Sequence, residues 1–115
     1  MPVFHPGDEL IRITLETYSL NIEFVSGTIE IEAPFLLTDA AGKTHELYPR
    51  THDGNLRPLW DLIGENLREV ALGMTAADTL IFRFQNDAII AIPPHQERRG
   101  LIKGAVGDKL IMEDY

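Results

Sequence analysis

Strict alternation of apolar and polar side chains, broken at short intervals by turn residues, constrains this chain more than any other feature. From Ile11 to Glu16, the apolar Ile11, Ile13 and Leu15 interleave with Arg12, Thr14 and Glu16. A period of two sends successive side chains to opposite sheet faces, so this run predicts a half-buried strand. Leu20, Ile22 and Phe24 alternate with Asn21 and Glu23. After Ser26-Gly27 the pattern resumes as Ile29 and Ile31 against Thr28, Glu30 and Glu32. The pair predicts a hairpin with Ser26-Gly27 as a two-residue turn, Gly27 supplying the positive φ such a turn needs. That register sets Val25 opposite Thr28, Phe24 opposite Ile29, Glu23 opposite Glu30 and Asn21 opposite Glu32. Continuing the meander places Leu15 beside Leu20 and Arg12 beside Glu23.

Further along, Phe35-Leu36-Leu37 and Thr44 to Tyr48 flank the turn Ala40-Ala41-Gly42-Lys43 and read as edge strands or extended loop. Pro49 to Asn55 is a turn-rich connector. Leu56, Leu59, Trp60 and Ile63 fall at i, i+3, i+4 and i+7 and predict one short helix with Trp60 in the core. Asn55 is its candidate cap, Pro58 lies in its first turn and Gly64 at its end. Leu80 to Phe84 and Ala88 to Ile92 form a second hairpin around Asn86-Asp87, apolar enough on its second face to be covered on both sides. Leu101 to Met112 reads as a last strand pair around Gly107-Asp108.

Leu20, Ile22, Phe24, Ile29 and Pro34 recur at constant displacement as Leu80, Phe82, Phe84, Ile89 and Pro94. Proline cannot donate to a sheet ladder and so closes each unit. The predicted fold class is therefore α+β, mainly β: an antiparallel meander of two pseudo-repeated hairpin units, about residues 10–34 and 70–94, with one short helix inserted between them. At 115 residues one domain spanning 1–115 is expected, burying roughly two thirds of its unfolded surface without disulfide or metal staples. The chain has no cysteine, which excludes thiolate catalysis and Cys-ligated metal.

These residues resemble a family of small, acidic bacterial domains of unknown function that repeat an apolar-x-Phe-x-turn-x-Ile-x-Ile pattern ending in proline. The likeness runs from Ile11 to about Pro94, with Asp87 standing where a turn glycine is usual. Some small acidic domains of this kind are immunity proteins, cytosolic inhibitors of a secreted toxin. The resemblance implies that role, and it carries over no functional residue.

Ten Lys and Arg face eighteen Asp and Glu, a net charge of −8. Nucleic acid and anionic membrane both demand a cationic footprint, so neither is expected as a partner. No run approaches the roughly 18 to 20 apolar residues of a membrane helix, and Met1 to Pro6 lacks the basic head and apolar stretch of a signal peptide, which points to a cytoplasmic protein. His5, His45, His52 and His95 have no metal-ligand spacing. His52-Asp53 precedes the helix as turn chemistry, and Arg98-Arg99 reads as a solvated loop, although a ligand-binding or enzymatic β domain would use these four. No catalytic residue, metal or cofactor is expected.

The outward face of the first hairpin is the most informative surface. Like charges directly opposite on a sheet cost a few tenths to about 1 kcal/mol, so folding gains nothing from Glu23 facing Glu30. Arg12 offsets part of that, while Glu16, Glu30 and Glu32 have no evident cation. Glu16, Glu23, Glu30 and Glu32, with Tyr18 in the adjoining turn as an aromatic anchor, are the candidate binding residues for a basic protein such as a cognate toxin.

Overall fold

A computed structural model describes residues 3–49, 56–71, 79–94, 99–106 and 109–114, with side chains as far as Gly104. The strands are β1 (Leu10–Leu15), β2 (Leu20–Phe24), β3 (Gly27–Ile31), β4 (Phe35–Thr38), β5 (Thr44–Leu47), β6 (Leu67–Ala71), β7 (Leu80–Phe84), β8 (Ile89–Ile92), β9 (Gly100–Val106) and β10 (Lys109–Asp114); the short helix α1 (Arg57–Trp60) lies between β5 and β6. All pairings are antiparallel, and the strands form two sheets, ordered β1-β2-β3-β9-β10 and β6-β7-β8-β4-β5. Each sheet is a three-stranded meander widened by the hairpin that follows the other meander in the chain.

The sheets meet along a short seam at the starts of β1 and β6. Glu9 bridges Asn66, and around that bridge the hydrogen bonds come in matched pairs. Gly7 N donates to Leu67 O at 2.7 Å as Gly64 N does to Leu10 O at 2.8 Å; Leu10 N donates to Glu65 O at 2.9 Å as Leu67 N does to Asp8 O at 2.7 Å. Gly7 and Gly64 take the same left-handed conformation, φ +91° and +93°. Between the sheets lies one apolar cluster, in which Phe24 of the first sheet stacks on Phe82 of the second at 5.7 Å and Phe4 meets both rings edge-on at 5.4 Å.

Several expectations are corrected by this arrangement. β1 carries a bulge between Leu10 and Arg12, so Leu10 and Ile13 are buried while Ile11 is 42% exposed; a bulge adds one residue and resets the faces. Leu15, on the face of Ile13 but at the end of the strand, is 43% exposed. The β2–β3 turn is Val25-Ser26, pairing Glu23 with Thr28, Ile22 with Ile29 and Asn21 with Glu30. Two tertiary bonds hold the turn there, Ser26 Oγ to Asp8 Oδ1 at 2.6 Å and Val25 N to Glu9 O at 3.1 Å. Gly27 lies outside the positive-φ set and serves close packing instead, facing Gly104 in the β3–β9 ladder. Arg12 beside Glu23 and Leu15 beside Leu20 are observed as expected.

β4 is an interior strand between β5 and β8 rather than an edge. α1 has four residues, and beyond it hydrogen bonds from Leu62 N to Leu59 O and Ile63 N to Trp60 O close three-residue turns. A three-residue period buries Leu56, Leu59 and Leu62 and turns Trp60 and Ile63 outward, 38% and 45% exposed. Asn55, the expected cap, is outside the described residues. The β7–β8 loop is Gln85-Asn86-Asp87, one residue longer than its β2–β3 counterpart, with Asp87 at φ +73°. Ile90 therefore pairs with Phe82 on the buried face as Ile29 pairs with Ile22. The gapless match of Ile29 to Ile89 joins a buried residue to one on the outer face, because a one-residue slip inverts a strand. On that outer face Ile81, Ile89 and Ala91 are half-buried rather than covered.

Candidate functional site

Two places gather polar chemistry, and the first is the outer face of the β1–β2–β3–β9 sheet. Alternation directs Arg12, Thr14, Asn21, Glu23, Thr28 and Glu30 outward, and the pairing aligns them in rows across the strands. One row runs Arg12–Glu23–Thr28–Lys103, the next Thr14–Asn21–Glu30–Leu101. Arg12 Nε lies 3.6 Å from Glu23 Oε2, the contact anticipated from local pairing. Lys103 Nζ lies 3.5 Å from Glu30 Oε2, which corrects the expectation that Glu30 has no cation. Its partner comes from β9, seventy residues downstream in the chain (roughly) and docked only by the tertiary fold. Asn21 Nδ2 donates to Glu16 Oε1 at 3.1 Å, while Glu32 extends the β3–β9 ladder through its N–H to Arg99 O at 2.6 Å. Glu23 and Glu30 are not opposed, since Asn21 and Thr28 take those places. Glu23 and Glu30 thus share this face, with Glu16 bonded to Asn21 beside them, and are interleaved with cations and amides. Tyr18 sits in the β1–β2 turn at the end of that face, 68% exposed.

The second place is a cleft of about 490 Å³ where the β4–β5 turn, α1 and the β7–β8 turn converge, its polar lining being Asp39, His45, Arg57, Asp61 and Asn86. Asp39 nucleates the turn: its Oδ1 accepts from Ala41 N at 3.0 Å and Lys43 N at 2.9 Å, and Gly42 at φ +89° completes the reversal. His45 Nε2 then meets Asp39 Oδ2 at 3.1 Å. The His45 hydrogen bond, with those of the Lys43 and Ala41 amides, holds the Asp39 carboxyl below its ordinary value. At the nearby strand end, Tyr48 donates to Glu46, which raises the phenol above its ordinary value.

Of the histidines weighed from sequence, His45 lines this cleft. His52, Asp53, His95 and Arg98 lie outside the described residues. Arg99 is not part of a solvated loop but 4% exposed, with Nη1 donating to Ile92 O at 3.1 Å. Asp39 with Gly42 signals the turn in sequence, but only the sheet register brings His45 back across from it. Among the described residues no three His, Asp or Glu side chains group to hold a metal ion, and no helix is long and apolar enough to cross a membrane.

Fold and site together define a two-sheet antiparallel β protein with an acidic sheet face and a polar cleft. The chain belongs to DUF6188, a family of unknown function whose family model matches residues 6–100, a span that takes in both meanders, α1 and the β4–β5 hairpin. No curated protein and no solved structure matches it.

Proposed function

We propose that this protein is a non-catalytic protein-binding module, an immunity protein of the bacterial cytoplasm that neutralises a basic toxin domain by covering its active surface. One observation supports the reading: Glu23 and Glu30 stand on one sheet face, Glu16 is tied to that face through Asn21, and alternation along β3 puts Glu32 on the same side. The surface stays net negative in a chain of charge −8, and such a surface draws a positively charged cleft by long-range attraction. The ion pairs favour docking too, since carboxylates already held in place lose less side-chain freedom on binding. Tyr18 at the rim adds an aromatic anchor. Growth rescue tests the proposal, with the chain co-expressed against candidate basic toxin domains. The double variant Glu16→Gln, Glu32→Gln is expected to lower rescue at least tenfold, with a melting curve establishing that it folds. Undiminished rescue removes this face from the mechanism.

The matched strand plan and paired seam bonds further support a duplication, with β1 to β5 and β6 to β10 as two fused copies of one unit. A second functional reading, a small-ligand-binding domain, is favoured by the cleft, where Arg57 stands with the Asp39–His45 pair. Titrating inorganic phosphate against the His45 ring resonances tests it; resonances that stay still at millimolar phosphate dismiss an anion site there.

A further inference from the structure

β1 ends the first sheet on one side, and its outer edge is only partly used. Glu16 N donates to Ser19 O at 2.9 Å, and the bonded positions of an antiparallel pair alternate along the strands. Thr14 and Arg12 therefore exchange bonds with Asn21 and Glu23 on β2, while Ile13 and Leu15 point their N–H and C=O groups away from it. On that side Leu10 is spent on the seam, its N–H donating to Glu65 and its C=O accepting from Gly64. Among the described residues nothing bonds the outward groups of Ile13 and Leu15. Leu15 lies beside the buried Leu20 on the core side of the sheet, yet is 43% exposed, so the apolar packing also stops short at this edge. Native sheets guard such an edge with proline, lysine or an inward-pointing charge. Ile13, Thr14 and Leu15 offer none of these, and the bulge of β1 lies at the seam end.

We propose that this edge is a self-association site: a second copy of the chain adds its own β1 antiparallel, about a two-fold axis at Thr14, and joins the two first sheets edge to edge. The sequence of β1 selects both occupant and register. With Thr14 opposite Thr14 of the second copy, Arg12 stands opposite Glu16 and Ile13 opposite Leu15, twice over by symmetry. The charges are complementary on the outer face, where the Arg12 side chain is 68% exposed, and the two threonines make a favourable cross-strand pair. On the core side the exposed Leu15 gains Ile13 of the second copy as its neighbour. The same register brings outward-pointing residues together, so Ile13 and Leu15 exchange about four main-chain hydrogen bonds across the axis. An axis at Ile13 sets Glu16 opposite Leu10, whose N–H and C=O are taken, and an axis at Leu15 leaves Arg12 opposite Tyr18. Edge pairing leaves the outer faces of both first sheets uncovered, so it stands or falls independently of the toxin reading. Five residues a side span only about 17 Å, and two chains of charge −8 repel. The association is accordingly weak, in the micromolar range or above.

Sedimentation of the full chain from about 1 μM to 1 mM is expected to show a weight-average mass rising toward that of a dimer, with hydrogen exchange of the Ile13 and Leu15 amides slowing over the same range. Charge exchange then tests the register. Arg12→Glu alone sets glutamate against Glu16, Glu16→Arg alone sets arginine against Arg12, and each is expected to weaken self-association at least tenfold. Mixed together, the two variants restore both opposite-charge pairs and are expected to regain most of the lost affinity. Both remain acidic chains, so no general attraction accounts for that recovery. Circular dichroism and a melting curve establish that each variant folds. If one does not, Leu15→Pro takes its place: proline removes an outward N–H that no bond within the chain uses, and is expected to abolish association. A wild-type chain that stays monomeric to about 1 mM overturns the proposal, and so does a dimer in which Ile13 and Leu15 exchange unslowed. Single charge variants that associate as the wild type does, a mixture that associates no better than its components, or an unaffected Leu15→Pro chain overturn it as well.

Discussion

Val3 rests where Gly27 and Gly104 face each other across the β3–β9 ladder, and the fit leaves no room for a single added carbon. A Cβ at Gly27 would sit 2.6 Å from the Lys103 carbonyl oxygen, and one at Gly104 would meet the Val3 side chain and stand 3.0 Å from Ser26 O. These glycines are required by close approach, and the sequence, which offers Gly27 beside Ser26, suggests a turn instead. Gly104→Ala is expected to cost about 1–3 kcal/mol through overpacking, read as a lower urea midpoint at unchanged slope. Asp39 provides a second check at this scale. Its carboxyl is depressed first by the His45 hydrogen bond and then by the Lys43 and Ala41 amides, so the ionised form is favoured by folding. The contribution is fully present above the unfolded value of about 3.9 and is lost as pH falls through the lower folded value. Urea midpoints of the wild type are therefore expected to drop below about pH 4 more steeply than those of Asp39→Asn. Parallel acid limbs would show that the turn draws no stability from the ionised carboxylate.

Among the elements, those with local alternation and a recognisable turn were legible in the sequence: β2, β3, β7, β8 and the β9–β10 pair all stand where the pattern puts them. β6 was missed, because the bulge between Leu67 and Glu69 removes the alternation that would reveal it. The corresponding bulge in β1 takes Ile11 off the face of Ile13. In the helix region the apolar residues satisfy a period of 3.6 and a period of three equally over so short a span, and packing against the sheets selected the second. The acidic face was half legible. Arg12 meets Glu23 because adjacent strands of a meander pair by local rules, whereas Lys103 reaches Glu30 only after β9 crosses back from the other sheet. The cleft was not legible, since its Asp39, Arg57 and Asn86 come from three separate connections.

At the scale of the molecule, the outer faces divide the labour by charge. One sheet shows carboxylates interleaved with two cations, the other a row of alanine, isoleucine and leucine that ends on Glu46, beside the Glu69–Arg83 ion pair. Composition and periodicity by themselves determined the β class, the strand faces away from bulges and the acidic balance, because these depend on nearest neighbours along the chain and on residue counts. The exchange of hairpins between sheets, the turn at Val25-Ser26 and the cation beside Glu30 were decided only by tertiary structure. They depend on contacts between residues far apart in sequence, where closing the chain costs entropy that only the assembled core between the sheets repays.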